Sequence, residues 1–225
     1  MVEKIKIIGL NGIPLIKPGD RIPKIILDAL TRNDIGLENG DILVIAQTII
    51  SKANNRLVDL KKIAPTEEAC RITEELNSKA RLKGLPEKSP ELIQKILDEA
   101  KEIIKKEHVI VVETNHGFVC ANAGIDKSNV EGETTISLLP EDCDEEARSI
   151  AEELKKVTKK DVGVIISDSF GRPFRIGATG VALGTAGVSA ILDKRGKTDL
   201  FGHELQTTLI GQVDNLSSAA QLLMG

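Results

Sequence analysis

Within Val162–Gly184 stand a carboxylate (Asp168), a hydroxyl (Ser169), two arginines (Arg172, Arg175) and the glycines Gly171, Gly177, Gly180 and Gly184. Glycines let backbone N–H groups approach an anion, and arginines clamp phosphate or carboxylate in a fork. A metal and phosphate site is one reading of this composition. A strand, a turn and a glycine-rich packing segment is the other. Two further polar clusters follow apolar runs or turns: Gln47, Thr48 and Lys52 after Ile42–Ala46, and Asn122, Asp126 and Asn129 after Phe118–Cys120. Two carboxylates from separate segments suit a hard divalent cation such as Mg²⁺ or Mn²⁺. Cations beside such an ion neutralise phosphates, which is the machinery of phosphoryl transfer. Taken one at a time, Asp126 and Asn129 are equally readable as turn formers and Lys52 as a solvated surface charge.

The elements that must position these residues follow from hydrophobic period. The runs Ile42–Ala46 and Val162–Ile166 read as strands buried on both faces, the second placing Asp168 at its carboxyl end, where ligands collect in open α/β sheets. Lys4–Gly9 reads as a short strand and Leu10–Asp20, with two prolines and two glycines, as loop. Helical spacing predicts helices over 22–30, 63–83, 144–157 and 203–223. Another starts at Ser89-Pro90 and carries one apolar stripe from Leu92 through Ile104. Val109–Val112 and Phe118–Cys120 flank the turn Asn115-His-Gly117 as a hairpin. Strands alternating with helices, plus that hairpin, predict an α/β protein with mixed sheets and flanking helices. No G-x-G-x-x-G follows a strand and no G-x-x-x-x-G-K-[ST] occurs, so it is neither a Rossmann nor a P-loop fold.

The 225 residues suffice for one large domain or two small ones, and the formal net charge is −4. Trp and Tyr are absent and Phe numbers four, so the core must be aliphatic. Without aromatic platforms or a basic face, nucleic-acid binding is not expected. The first residues lack an apolar signal region and no run is long enough to span a bilayer, so no membrane role and a cytoplasmic location are expected. Cys70, Cys120 and Cys143 lack the spacing of a thiolate metal site, and their odd, scattered number argues against a disulfide framework. His108, His116 and His203 show no ligand spacing either.

In five segments the chain resembles the coenzyme F420-0:L-glutamate ligase (γ-glutamyl ligase) family. They are Gly12-Ile-Pro-Leu-Ile-Lys-Pro-Gly-Asp20; Gly40-Asp-Ile-Leu-Val-Ile-Ala-Gln-Thr48 with Ser51-Lys-Ala53; Asn122-Ala-Gly-Ile-Asp-Lys-Ser-Asn-Val130; Val162-Gly-Val-Ile-Ile-Ser-Asp-Ser-Phe-Gly-Arg172; and Leu222-Leu-Met-Gly225. They run in family order over nearly the whole chain. The resemblance implies an amide ligase that joins L-glutamate to coenzyme F420-0 at the expense of GTP, through an acyl phosphate. It also implies an intertwined homodimer that uses Mg²⁺ or Mn²⁺ and sometimes K⁺. By position, Ile13, Pro14, Leu15, Ile16, Gln47, Thr48, Lys52, Asn129, Met224 and Gly225 would contact GTP. Asp126, Asp168 and Ser169 would hold metal, and Lys52 with Arg172 would stabilise the transferring phosphoryl group. Ser169 stands where the family more often has Thr, and Phe170-Gly-Arg172 where it usually has Asn-Gly-Arg. The family pattern continues beyond Leu-Leu-Met-Gly into a glycine-rich loop with an acidic ligand, so the resemblance implies a chain shortened there, a single ligase-like domain with the possibility of two subdomains. A relative acting on another carboxylate, and a non-catalytic binder of GTP, GDP or coenzyme, are the alternatives.

Overall fold

The computed structural model describes residues 4–224. In chain order the elements are α1 (Ile22–Arg32), β1 (Ile42–Ala46), α2 (Gln47–Ala53), β2 (Leu57–Asp59), α3 (Glu67–Leu82), α4 (Pro90–Glu99), β3 (Ala100–Lys106), β4 (Ile110–Thr114), β5 (Val119–Ala121), β6 (Thr135–Ser137), α5 (Cys143–Thr158), β7 (Gly163–Arg172), β8 (Arg175–Ala186), β9 (Ile191–Asp193), β10 (Leu209–Gly211) and α6 (Gln212–Met224). The protein is mixed α/β with several small sheets. The chain divides into two compact units: one holds the chain up to Ala53 and from Asp142 onward, the other Asn54–Glu141.

The first unit is built on a three-stranded sheet in the order β1-β7-β8. β1 and β7 pair in parallel from Ile42↔Gly163 to Ala46↔Ser167, and β7 and β8 form a long antiparallel hairpin. Val164, Ile165 and Ile166 are fully buried, with Ala147, Ile150 and Leu154 of α5 among the other buried apolar groups. Helix α5 starts where Asp142 accepts the N–H of Glu145 at 2.9 Å and stops at Lys159, whose φ of 60° breaks the helical path. β8 has one open edge, and two carboxylates cover part of it. Asp144 accepts the N–H of Thr185 (2.7 Å) and Asp214 that of Ala182 (2.9 Å).

The second unit has an antiparallel sheet in the order β3-β4-β5 and a two-stranded β2-β6 ladder. Ala69, Ile72, Leu76, Ile93, Ile96, Ile110, Val112 and Ala123 form its aliphatic core. Thr66 caps α3 by accepting the N–H of Ala69, and Ser89 caps α4 by accepting that of Leu92. Arg56 gathers the unit's polar ends. Its guanidinium donates to Leu139 O (3.0 Å), Glu141 (3.1 Å) and Glu99 (3.2 Å), and Lys95 reaches Glu99 at 2.8 Å.

Several expectations change. The apolar stripe from Leu92 to Ile104 belongs to two elements, because Ala100 turns to extended backbone and Ile103 pairs with Val112 across β3-β4. Helix α6 starts only at Gln212, since Leu209–Gly211 pair with Ile191–Asp193. Helix α3 starts at Glu67, not Ile63, behind Pro65 and the Thr66 cap. Lys4–Gly9 forms no strand, and Ile5 is 85% exposed. β1 is half-buried along most of its length rather than sealed on both faces. No helix among the described residues is long and apolar enough to cross a membrane.

Candidate functional site

In the first unit, the parallel register Ala46↔Ser167 sets the residues that follow each strand position at one level. Gln47, which starts α2, and Asp168 are the next residues in that register, and Thr48 and Lys52, four residues apart, share another face of the same helix. Gln47 is 1% exposed. Its Oε1 accepts the hydroxyl of Ser51 at 2.7 Å, while its Nε2 has no hydrogen-bond partner among the described residues. A buried orphan donor costs about 1–3 kcal/mol, a cost that a ligand acceptor removes.

Asp168 is half-buried and its Oδ1 accepts the N–H of the exposed Ser169 at 2.7 Å. The sequence places Asp168 at a strand end; the structure places it inside β7, opposite Val181. The apolar run ends at Ile166, but the ladder continues to Arg172 because β8 supplies hydrogen-bond partners all along. Arg172 and Arg175 face each other across the far end of the hairpin, exposed, so Arg172 lies about 13 Å along the strand from Asp168.

The glycine-rich stretch divides in two. A Cβ on Gly184 would lie 2.2 Å from the backbone of Cys143, and one on Gly180 would lie 2.5 Å from that of Ser217. These glycines exist for close packing of α5 and α6 on β8, which is the packing reading of the segment. Gly171 and Gly177 meet nothing within 4 Å. Acidic neighbours crowd the same corner. Burial first, then the charges of Asp144, Asp142, Glu146 and Asp168, push the Cys143 thiol up to about 12. Cys70, Cys120 and Cys143 form no disulfide among the described residues.

Ile13–Ile16 lie in the irregular segment before α1, with Ile13 and Ile16 half-buried and Pro14 and Leu15 exposed. That segment is tied down at both ends. Arg32 donates to Gly12 O at 2.8 Å, and the N–H of Gly19 reaches Ala53 O, one residue beyond Lys52, at 2.8 Å. Met224 closes α6 and is exposed; Gly225 lies outside the described residues.

Asp126 and Asn129 belong to the second unit. The backbone of Asp126 bridges Ser137, and both its carboxylate oxygens are held by Ser128, from the N–H (2.8 Å) and the hydroxyl (2.6 Å). Asn129 is exposed with φ 54°, a left-handed turn position. No group of three or more His, Cys, Asp or Glu residues is arranged to hold a metal among the described residues. Sequence reasoning missed Asp144 and Asp214 on the β8 edge, and Lys17, Lys24 and Asp28 beside Ile13–Ile16. The i, i+4 spacing of Lys24 and Asp28 on α1 was the available signal for the last pair.

Together these elements define a mixed α/β protein of several small sheets and flanking helices, with polar residues on α2 and β7 of its first unit. Residues 12–225 match the family described as F420-0:Gamma-glutamyl ligase, and the chain belongs to that family. It is 46% identical to the coenzyme F420:L-glutamate ligase of Methanothermobacter thermautotrophicus, over 98% of this chain and 84% of that protein. Identity to the protein of the same name from Methanocaldococcus jannaschii is 45%, over 99% and 83%. For that of Archaeoglobus fulgidus it is 37%, again over 99% and 83%.

Proposed function

We propose that this chain adds L-glutamate to coenzyme F420-0, the reaction its relatives' name describes, and that GTP drives it. The observation that supports the reading is the register that brings Gln47 and Asp168 to neighbouring strand ends, with a buried donor of Gln47 left without a partner. In the proposed sequence the acceptor carboxylate attacks the γ-phosphorus of GTP and GDP leaves, giving an acyl phosphate. The glutamate amine attacks that carbonyl, the C–O bond to phosphate breaks, and the nitrogen loses a proton as the amide forms. No side-chain nucleophile is needed; the protein positions reactants and neutralises charge.

Lys52, in the last turn of α2, is the proposed cation for the transferring phosphoryl. Arg172, farther along β7, serves the same negative charge or the carboxylate of an acceptor. Ile13–Ile16, Gln47, Thr48, Asn129, Met224 and Gly225 are the proposed nucleotide contacts. Mg²⁺ or Mn²⁺ is the proposed ion: Asp168 and Ser169 in the first unit, and Asp126 in the second, each offer the hard oxygens such an ion takes, one or two carboxylates beside phosphate and water. When bound, the ion supplies positive charge to the phosphates; K⁺ is a further proposed ion. A homodimer is the proposed assembly, supported by the side chains of Phe174, Ile176, Leu200 and Phe201, each at least 85% exposed on the first unit.

The test is incubation with F420-0, L-glutamate, GTP and Mn²⁺, read by mass spectrometry. A product heavier by one or more glutamyl units and stoichiometric GDP support the reading. Asp168→Ala is expected to lose about 10²–10³-fold or more in turnover with an unchanged circular dichroism spectrum. Nucleotide binding without product overturns the ligase reading and favours a binding protein.

A further inference from the structure

Beside Ile13–Ile16 lies an open cleft of about 510 Å³, bounded by Pro14, Leu15, the turn at Gly19 and the exposed face of α1. Its polar lining is Lys17, Asp20, Arg21, Lys24 and Asp28. Two of these charges are consumed internally. Asp20 accepts the N–H of Lys17 at 2.8 Å, and Arg21 pairs with Glu153 at 2.5 Å. The side chains of Lys17, Lys24 and Asp28 form no hydrogen bond or ion pair among the described residues. Lys24 and Asp28 are neighbours at i, i+4 on α1 and still leave each other unpaired.

The charges left to a ligand are thus two ammonium groups and one carboxylate. A dicarboxylic α-amino acid carries the reverse set, two carboxylates and one ammonium. We infer that this cleft is the docking site of the amino-acid substrate, with Lys17 and Lys24 facing its two carboxylates and Asp28 its ammonium. The inference rests on the ligase reading above. The wall of the cleft adjoins the proposed phosphoryl site, because Gly19 N–H bonds Ala53 O immediately after Lys52. Pro14 and Leu15, proposed above as nucleotide contacts, form the wall the two substrates would share, while the charged lining suits a zwitterion better than a polyphosphate, which Asp28 would repel. The three residues discriminate by charge pattern, which is how polar sites reject ligands lacking a matching group.

The experiment measures initial rates with F420-0, GTP and Mn²⁺ while L-glutamate is varied, for the wild type, Lys17→Ala/Lys24→Ala and Asp28→Asn. If the wild type makes no product the ligase reading fails, and with it this proposal. Given an active wild type, the double variant is expected to raise KM for L-glutamate at least tenfold while leaving KM for GTP within twofold. Asp28→Asn is expected to raise the same KM, and to lose discrimination between L-glutamate and glutarate as a competitive inhibitor. All three positions are exposed, so folding is not at risk; thermal melting of each variant checks this. An unchanged KM for L-glutamate overturns the assignment. So does a rise in KM for GTP in the lysine variant with a fall in Asp28→Asn, which would make the cleft a phosphate site.

Discussion

The two halves of the β7-β8 hairpin share a glycine-rich sequence and use it in opposite ways. At the inner half, Val164 to Ile166 are sealed from water and Gly180 and Gly184 touch helix backbones, so no atom can be added. At the outer half, from Gly171 to Gly177, every residue is exposed and Phe174 and Ile176 have no cover within the unit. The lesson is that glycine marks close approach only where another backbone arrives. The inner half leads into Asp168, paired with Val181 of β8, and the outer half leaves Arg172 and Arg175 exposed.

The sharpest way to break this contrast is Gly184→Ala. Its new Cβ would overlap backbone rather than a movable side chain, and a loss of upwards of about 3 kcal/mol is expected, read as a fall in the urea midpoint. The open site Gly171→Ala is expected to change stability by less than about 0.5 kcal/mol. Equal effects at the two positions would remove the distinction.

A second test uses the acid-crowded inner corner. The Cys143 thiol, ordinarily titrating at 9.0, is pushed to about 12, so the folded protein keeps a proton that the unfolded chain gives up. That stability is complete below about pH 9 and is lost as pH rises toward 12, by up to about 1.4 kcal/mol per unit. Lysines titrate in the same window, so the measure is the difference between wild type and Cys143→Ala in urea melts at several pH values. The wild type is expected to fall more steeply.

A last test separates geometry from space in the outer half. Gly177 has open room but a φ of 92°, so Gly177→Ala is expected to cost about 1–2 kcal/mol where Gly171→Ala costs almost nothing.

Much of the fold was legible because it rests on local period. The Ile22, Pro90 and Cys143 helix starts, the β1 strand and the hairpin at Asn115-His-Gly117 follow from apolar spacing, caps and turn residues. What failed were boundaries decided by a distant partner. Ile103 looks helical until Val112 pairs with it, and Leu209–Gly211 look helical until Ile191–Asp193 pair with them. Of the candidate site, residue types were readable, and the five segments pointed to the family that the chain belongs to. Their levels were not.

By itself the sequence determined the α/β class, the aliphatic core and the chemical character of the polar clusters, because these depend on side-chain type and nearest neighbours along the chain. Only the tertiary structure decided that Gln47 stands level with Asp168 and that Gly180 and Gly184 serve packing. It alone left Lys17, Lys24 and Asp28 without internal partners. Those facts depend on which backbone lies beside which, and the run Val162–Ile166, apolar throughout, has no alternation that would fix its register against β1.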